Sequence, residues 1–164
     1  MRSVVLIPTY NEIDSLPSAL DRVRSAAVQA HILVIDDNSP DGTGALADAR
    51  AQSDDHIHVL HRTEKNGLGP AYLAGFKWAL ENDFELIIEM DADGSHRAED
   101  LALLIQRAEM ADKPDLVIGS RWISGGATQG WSQKRVLLSR AGNVYINLAL
   151  GLNVRDATAG FRVY

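Results

Sequence analysis

The chain has 164 residues, enough for one domain with a hydrophobic core and too few for two of ordinary size. It contains no cysteine, which excludes disulfides and thiolate metal sites, and no apolar run reaches the roughly 20 residues that cross a bilayer. Residues 121–164 hold six of the sixteen Lys and Arg residues but one of the 22 acids, so they carry +5 and the first 120 carry −11. This basic end predicts contact with phosphates or an anionic membrane and disfavours nucleic acid, although a chance cluster of solvated arginines explains the charge split equally well.

Apolar runs of strand length alternate with amphipathic helical stretches along the whole chain. The predicted strands cover residues 3–8, 31–36, 57–61, 84–90 and 115–119. The predicted helices cover residues 15–28, 43–52, 70–81, 98–111 and 132–150, and a glycine-rich loop runs to Gly130. Nearly continuous apolar strands between helices indicate an α/β fold with a mainly parallel, doubly wound sheet. In such sheets, ligands bind beyond the carboxyl ends of the strands.

Two carboxylates, Asp91 and Asp93, follow the fourth predicted strand with one residue between them. Both can reach one hard cation, because Mg²⁺ and Mn²⁺ prefer oxygen ligands and are often completed by substrate phosphates. Ser95 and His96 follow and can orient or complete such a site. The alternative, an Asp-rich turn that caps the next helix, is equally compatible with this motif alone.

Two further polar clusters follow the first and second predicted strands. In the first, residues 8–12, the backbone and Tyr10 can line a base pocket and Glu12 can bind a ribose hydroxyl. The second, residues 36–42, offers carboxylates to a base edge or a ribose. In isolation, the first cluster is explained as well by Asn11 capping a helix, and the second is better explained as an Asx turn.

Taken in order, four motifs carry a family resemblance: Pro-Thr-Tyr-Asn-Glu, Val-Ile-Asp-Asp-Asn-Ser-Pro-Asp-Gly-Thr, Met-Asp-Ala-Asp-Gly-Ser-His and Ile-Gly-Ser-Arg. Together they resemble the inverting family-2 glycosyltransferases, and within them the bacterial polyprenol-phosphate (dolichol-phosphate) mannose synthases. The resemblance covers essentially the whole chain. It implies a GT-A fold, a GDP-mannose donor, a divalent cation (Mg²⁺ or Mn²⁺) and a polyprenyl phosphate acceptor.

The resemblance also implies roles for particular residues. Those implied to bind the donor are Pro8, Tyr10, Glu12, Ile35, Asp37, Asp91, Ala92, Asp93 and Arg121. Those implied to bind the acceptor phosphate are Arg121, Arg135 and Ser139. Asp91, Asp93 and Arg121 take the catalytic roles, and the metal ligands are Asp91, Asp93 and Ser95, where many relatives carry a longer Gln. The segment that begins at Asp156 resembles the Asp-x-x-Ser-Gly-Phe element of the family's catalytic core.

We expect a single catalytic domain over residues 1–164 that ends short of the family's usual C-terminal part. The resemblance implies a cytoplasmic, peripheral protein at the cytoplasmic face of the membrane, with a membrane-embedded anchoring protein or domain as a candidate partner. The apolar stretch 136–152 is predicted to be a buried core helix, with a helix lying on the bilayer as the alternative. The histidines at 31, 56, 58 and 61 are predicted to be structural or solvated.

Three alternatives remain open at this point. One is another family-2 glycosyltransferase that uses a UDP-sugar or a polysaccharide acceptor. The second is a haloacid-dehalogenase-type phosphatase with Asp91 as nucleophile, although that residue follows the fourth strand and not the first. The third is a receiver domain that opens with Asp36 and Asp37, although a complete β-α unit precedes them.

Overall fold

A computed structural model of the chain describes residues 1–123, 126, 128 and 131–164. Its elements in chain order are β1 (Ser3–Thr9), α1 (Leu16–Ala26), β2 (His31–Asp36), α2 (Thr43–Ser53), β3 (Ile57–His61), α3 (Leu68–Glu81), β4 (Leu86–Glu89), a 3₁₀ helix (Ala98–Asp100), α4 (Leu101–Ala108), β5 (Val117–Ile118), α5 (Gln133–Leu150) and β6 (Arg162–Val163). The predicted alternation is confirmed. Helix 98–111 is shorter than predicted, strand 115–119 pairs over two residues only, and part of the loop predicted to reach Gly130 lies outside the described residues.

The strands form one six-stranded sheet in the order β3-β2-β1-β4-β6-β5. Strands β1 to β4 are mutually parallel, whereas β6 lies antiparallel between β4 and β5. The sequence did not predict β6, because two residues carry no periodicity and this strand exists only through its pairing with Ile88, Glu89 and β5. The mainly parallel sheet is confirmed, with one antiparallel insertion.

Helices cover both faces of the sheet, because successive side chains of a strand point to opposite faces. On β1, Val5 and Ile7 pack in the cluster beneath α1, α2 and α4, and Val4 and Leu6 pack in the cluster beneath α3. Helix α3 approaches the sheet closely at Gly75, where an added Cβ would lie 2.5 Å from Ile35 Cδ1. The doubly wound arrangement therefore follows from consecutive apolar residues in the middle of the central strands.

Helix α5 is not the buried core helix that the sequence predicted. Asn143 is its only buried residue among eighteen. Its exposed large apolar side chains are Leu137, Leu138, Val144, Tyr145, Leu148 and Leu150. Its apolar residues are spread around the helix axis, and the side facing the protein is held by the polar contacts of Asn143 and Ser139. Within the described ranges, no helix combines the length and the apolar character that crossing a membrane requires.

The parallel strands place the polar motifs at one edge of the sheet. The loops after β1, β2, β4 and β5 leave from this edge, and the loop before the antiparallel β6 returns to it. The opposite edge holds the amino ends of the strands and a cluster of histidines: His31, His56 and His58. The candidate site and the histidine cluster therefore lie at opposite ends of the sheet.

Candidate active site

Asp91 is held from the core by Tyr72, a residue that the sequence did not point to. Tyr72 lies on α3, is 8% exposed, and donates its hydroxyl hydrogen to Asp91 Oδ1 at 3.2 Å. Burial, with the nearby charges of Asp91 and Glu89, raises the pKa of Tyr72 well above its ordinary value. The phenol therefore keeps its proton and acts as a fixed donor to the carboxylate. No local signal reveals this contact, because the two residues are 19 positions apart.

His96 contacts Asp91 from the other side. Its Nδ1 accepts the backbone N–H of Asp91 at 3.1 Å, which leaves the ring proton on Nε2, 3.8 Å from Asp91 Oδ2. Burial lowers the pKa of His96 and outweighs the carboxylates of Asp91 and Asp93, which raise it. The ring also stacks on Phe161, with centroids 5.2 Å apart. A neutral His96 thus links Asp91 to the C-terminal segment that begins at Asp156.

Asp93 lies on the exposed part of the same loop. Its Oδ1 accepts the backbone N–H of Ser95 at 2.8 Å, and Gly94 between them has φ +78°. Partial burial raises the pKa of Asp93, but the hydrogen bonds from Ser95, with His96 and Arg135 nearby, hold it below its ordinary value. This Asx turn keeps Asp93 ionised, which is the form that binds a cation.

Residues 91–96, which we call the metal loop, contain the side chains expected to hold the implied cation. The described ranges contain no group of three or more His, Cys, Asp or Glu side chains placed to hold a metal. Mg²⁺ or Mn²⁺ bound with a nucleotide needs only one or two carboxylates, with water and phosphate oxygens completing the shell. Asp91 and Asp93 fit that requirement, and Ser95 is exposed beside them.

The loops after β1 and β2 are joined by hydrogen bonds. The backbone N–H groups of residues 11–13 donate to side-chain oxygens of Ser39, Thr43 and Asp41 at 3.0–3.1 Å. The hydroxyl of Thr43 is the largest cause of a lowered pKa at Asp41. The first two predicted donor segments therefore form one surface.

The structure places the donor residues of the second segment in different surroundings. Asp37 is buried and its Oδ1 accepts from Arg62 at 2.6 Å, so this carboxylate already has a cationic partner. The side chain of Ile35 is fully buried beneath α3, so this residue offers a ligand only its backbone. The neighbouring Asp36 accepts hydrogen bonds from Thr9 and Ser39 and holds the turn.

The first segment lies at the carboxyl end of β1. Pro8 and Tyr10 are half-buried, and the carboxylate of Glu12 accepts a hydrogen bond from the Ser15 hydroxyl. The ammonium group of Lys65 lies 3.9 Å from the centre of the Tyr10 ring. Sequence reasoning missed Lys65, which brings a cation beside the aromatic ring of this segment.

Arg121 is fixed by Asp156, the only acid of the basic C-terminal part. Its Nε donates to Asp156 Oδ2 at 2.9 Å, and its Nη2 donates to Oδ1 at 2.6 Å. Asp156 is 1% exposed; burial raises its pKa, but the hydrogen bonds and charge of Arg121 outweigh this and hold the pKa low. Nη2 also donates to Thr158, whose hydroxyl oxygen lies 3.0 Å from that of Ser139.

The guanidinium groups of three arginines alternate with two indole rings. This arginine–tryptophan ladder consists, in order, of Arg135, Trp131, Arg121, Trp122 and Arg140. Trp131 lies 4.0 Å from Arg135 and 4.7 Å from Arg121; Trp122 lies 5.9 Å from Arg121 and 4.8 Å from Arg140. Stacking on aromatic faces orients guanidinium groups without neutralising them. Trp131 thus joins Arg121 to Arg135, and Thr158 joins Arg121 to Ser139. The structure therefore brings together the three residues predicted to bind the acceptor phosphate.

Comparison with known proteins identifies relatives of the whole chain. It is 52% identical to an undecaprenyl-phosphate mannosyltransferase of Micrococcus luteus over 164 residues, which are 100% of this chain and 66% of that protein. It is 51% identical to a polyprenol monophosphomannose synthase of Mycolicibacterium smegmatis, over 99% of this chain and 61% of that protein. The chain thus spans slightly less than two thirds of the length of these curated relatives.

A solved structure, that of the mannosyltransferase PcManGT from Pyrobaculum calidifontis in complex with GDP-Man and Mn²⁺, is also similar. It superposes with a TM-score of 0.58 at 25% identity, over 67% of this chain and 33% of that one. The predicted GT-A fold is confirmed by such glycosyltransferase neighbours and by the observed sheet.

The phosphatase alternative requires its nucleophilic Asp after the first strand, whereas Asp91 follows β4. The receiver-domain alternative requires its acidic pair after the first strand, whereas Asp36 and Asp37 lie at the end of β2. A family profile described as "Glycosyl transferase family 2" matches residues 4–164, which is nearly the whole chain and contains every candidate site residue. The predicted family is therefore confirmed: the chain belongs to glycosyl transferase family 2.

Proposed function

We propose that this chain is the catalytic core of an enzyme that transfers mannose from GDP-mannose to a polyprenyl phosphate, with inversion and with a divalent cation. The names of the two bacterial relatives support the sugar and the acceptor. The GDP-Man and Mn²⁺ in the archaeal structure support the donor and the cation. One observation carries the proposal: carboxylates suited to a cation and aromatic-held arginines suited to phosphate share one edge of the sheet.

On the donor side, Asp91 and Asp93 would hold Mg²⁺ or Mn²⁺, with Ser95 as a further candidate ligand. A divalent cation there offsets the negative charge that develops on the leaving diphosphate. Tyr72 orients the Asp91 carboxylate, and His96 accepts a hydrogen bond from the backbone N–H of the same residue. The residues proposed to bind the donor are the predicted set of Pro8, Tyr10, Glu12, Ile35, Asp37, Asp91, Ala92, Asp93 and Arg121.

On the acceptor side, Arg121, Arg135 and Ser139 would bind the lipid phosphate. A phosphate monoester is already anionic near neutral pH, so the attacking oxygen needs no general base. It forms a bond to the anomeric carbon while the bond from that carbon to the diphosphate oxygen breaks, and attack opposite the leaving group inverts the configuration. The arginines reduce the repulsion between two anions and align them, which is the main contribution that this chemistry requires.

Helix α5 supports a membrane surface as a partner of this enzyme. It carries Lys134, Arg135 and Arg140, it contains no acidic residue, and its large apolar side chains are exposed. Helices with basic and apolar character bind at the surface of anionic bilayers. A lipid acceptor anchored in a bilayer is reached most directly by a protein that binds there.

The first test is calorimetric titration of GDP-mannose, GDP and UDP-glucose into the chain, with Mn²⁺ and then with EDTA. We expect metal-dependent binding of the two guanosine ligands, and its near-complete loss in Asp93→Ala with an unchanged melting temperature. Asp112→Ala, which removes an exposed carboxylate outside the site, is the matched control. Preferred binding of UDP-glucose would replace the proposed donor, and unchanged GDP-mannose affinity in Asp93→Ala would refute the proposed metal site.

A further inference from the structure

A groove of about 400 Å³ lies at the Arg140 end of the arginine–tryptophan ladder. We call it the α5 groove; its lining residues are Trp122, Arg140, Asn143, Val144, Asn147, Val154 and Arg155. None of these residues belongs to the donor or acceptor set proposed above. The groove runs along α5 beside the acceptor residues and is separate from the metal loop.

Two cations in the α5 groove lack an acidic partner. Within the described ranges, neither Arg140 nor Arg155 forms a salt bridge or a side-chain hydrogen bond, and Arg140 only stacks on Trp122. The neighbouring acid, Asp156, is buried and bound to Arg121. Trp122 Nε1 is buried, and none of the residues that the structure describes accepts a hydrogen bond from it. Arg140 and Arg155 are both exposed, so the groove presents two cations without an acidic partner, and this charge favours an anionic ligand.

The walls of the groove are held in place by their own hydrogen bonds. Asn147 binds both backbone groups of Val154, donating to its carbonyl at 2.8 Å and accepting from its N–H at 3.0 Å. Asn143 accepts from the N–H of Ala157 at 2.6 Å. These bonds keep the turn that carries Arg155 against α5. The backbone that carries both arginines is therefore in place before any ligand binds.

The surface beside the groove is apolar. Val144 and Val154 line it, and three exposed side chains, Leu137 (70%), Val144 (59%) and Leu148 (80%), follow the side of α5 next to Arg140. At 100° per residue, these three positions fall within one narrow stripe of the helix. A free phosphate or a nucleotide would leave this stripe in water, whereas a ligand with a charged head and apolar chains would cover it.

We propose that the α5 groove binds the phosphate headgroup of an anionic phospholipid, with its acyl chains along Leu137, Val144 and Leu148. Arg140 and Arg155 supply charge and hydrogen bonds to the phosphate oxygens, and Trp122 lines the same groove, so its indole N–H reports on the bound ligand. This proposal rests on the proposed function in one respect, the membrane as the place of action. It does not use Arg121, Arg135 or Ser139, so the acceptor phosphate and the phospholipid occupy separate sites.

The test is NMR titration of the ¹⁵N-labelled chain with monomeric dihexanoyl phosphatidylglycerol. Trp122→Phe assigns the Trp122 indole N–H resonance, which we expect to shift saturably with lipid concentration. Arg140→Gln/Arg155→Gln should weaken this binding at least about tenfold, since each variant removes a charged hydrogen-bond donor. Lys77→Gln/Lys113→Gln removes the same charge from exposed positions elsewhere and should leave the affinity unchanged.

Two further ligands distinguish the sources of the phosphate. Dihexanoyl phosphatidylcholine, with the same chains and no net charge, should bind far more weakly, and so should inorganic phosphate. Equal affinity for either ligand, or unchanged affinity in the arginine double variant, would overturn the proposal. Donor calorimetry on the same samples separates the two hypotheses: a Trp122 response without GDP-mannose binding refutes only the proposed function, and the reverse result refutes only the lipid site.

Discussion

At the scale of single residues, the candidate site depends on side chains that hold other side chains. Tyr72, on the buried face of α3, donates to Asp91, and Asp156 fixes Arg121 from the interior. Both are nearly inaccessible, so neither can contact a substrate directly. We propose that they are positioning residues, so their effects should appear in the affinity and orientation of the ligands proposed for Asp91 and Arg121.

Tyr72→Phe tests this role. The substitution keeps the buried ring and removes the hydroxyl, so the Asp91 carboxylate loses the hydrogen bond that it accepts from the core. Loss of such an outer contact to a metal ligand costs about 10–100-fold in metal affinity, and we expect the Mn²⁺-dependent affinity for GDP to fall by about that factor. Calorimetry measures the affinity, and circular dichroism should show an intact fold.

The matched control is Tyr145→Phe, which makes the same chemical change on the exposed surface of α5. It should leave GDP affinity unchanged. If Tyr72→Phe binds Mn²⁺ and GDP as tightly as the unchanged chain, Tyr72 is only a core residue.

At the scale of elements, the contact between α3 and the sheet is unusually close. Gly75 lies against two fully buried side chains, and an added Cβ would meet Ile35 at 2.5 Å and Leu6 at 3.0 Å. Gly69, near the start of the same helix, has no atom within 4 Å of an added Cβ. The same substitution therefore meets opposite surroundings within one helix.

Gly75→Ala should destabilise the protein. Overpacking of a core costs about 1–3 kcal/mol. The gain in helix propensity, up to about 1 kcal/mol, does not compensate for it. Gly69→Ala lacks the clash and should be neutral or should stabilise the protein by up to about 1 kcal/mol. Urea unfolding of both variants measures the difference, and equal stabilities would contradict the close packing of α3.

Helix α5 illustrates what an element's own sequence does not decide. Its apolar residues are compatible with a core helix and with a surface helix, because the sequence does not show whether these side chains face the protein or the outside. The structure places them outward, and the only buried position is Asn143, which binds the segment after Asp156. A polar anchor, and not an apolar face, thus attaches α5 to the domain.

At the scale of the whole molecule, the end of the sheet opposite the site holds three histidines in contact. His31 Nδ1 lies 2.9 Å from His58 Nε2, and the ring of His56 lies beside both. Burial, together with these histidines and the charges of Arg2 and Arg24, lowers the pKa of His31 to about 4. Burial is also the main cause of a lowered pKa at His58. His31 and His58 are therefore neutral in the folded state near pH 7.

Acid should therefore destabilise the protein through this cluster. The ordinary pKa of histidine is 6.5, so between pH 6.5 and about 4 the unfolded chain binds protons that folded His31 does not bind. The free energy of unfolding then falls as the pH is lowered through this window. Thermal melts from about pH 7 to about pH 4.5 should show the decline, and His31→Gln should make it shallower.

His61→Gln is the control, because His61 lies outside the cluster at the other end of β3. It should leave the slope with pH as it was. An unchanged slope in His31→Gln would show that other groups dominate the acid response of the fold.

The sequence alone determined the class of fold, the order of its main elements, the family and the positions of the carboxylate motifs. These properties are local: apolar periodicity defines strands and helices, and a motif after a parallel strand falls at the carboxyl edge of the sheet. The metal loop and the basic C-terminal part were visible for the same reason. Their individual roles in binding remain predictions.

The contacts between distant segments became visible in the folded structure alone. It inserted β6 between β4 and β5, paired Asp37 with Arg62 and Arg121 with Asp156, placed Tyr72 beneath Asp91, and turned the apolar side chains of α5 outward. Each of these depends on residues far apart in the chain, and a pattern within one segment does not specify which distant side chain will meet it. Such contacts are settled when the whole sheet assembles and the remaining polar groups find partners.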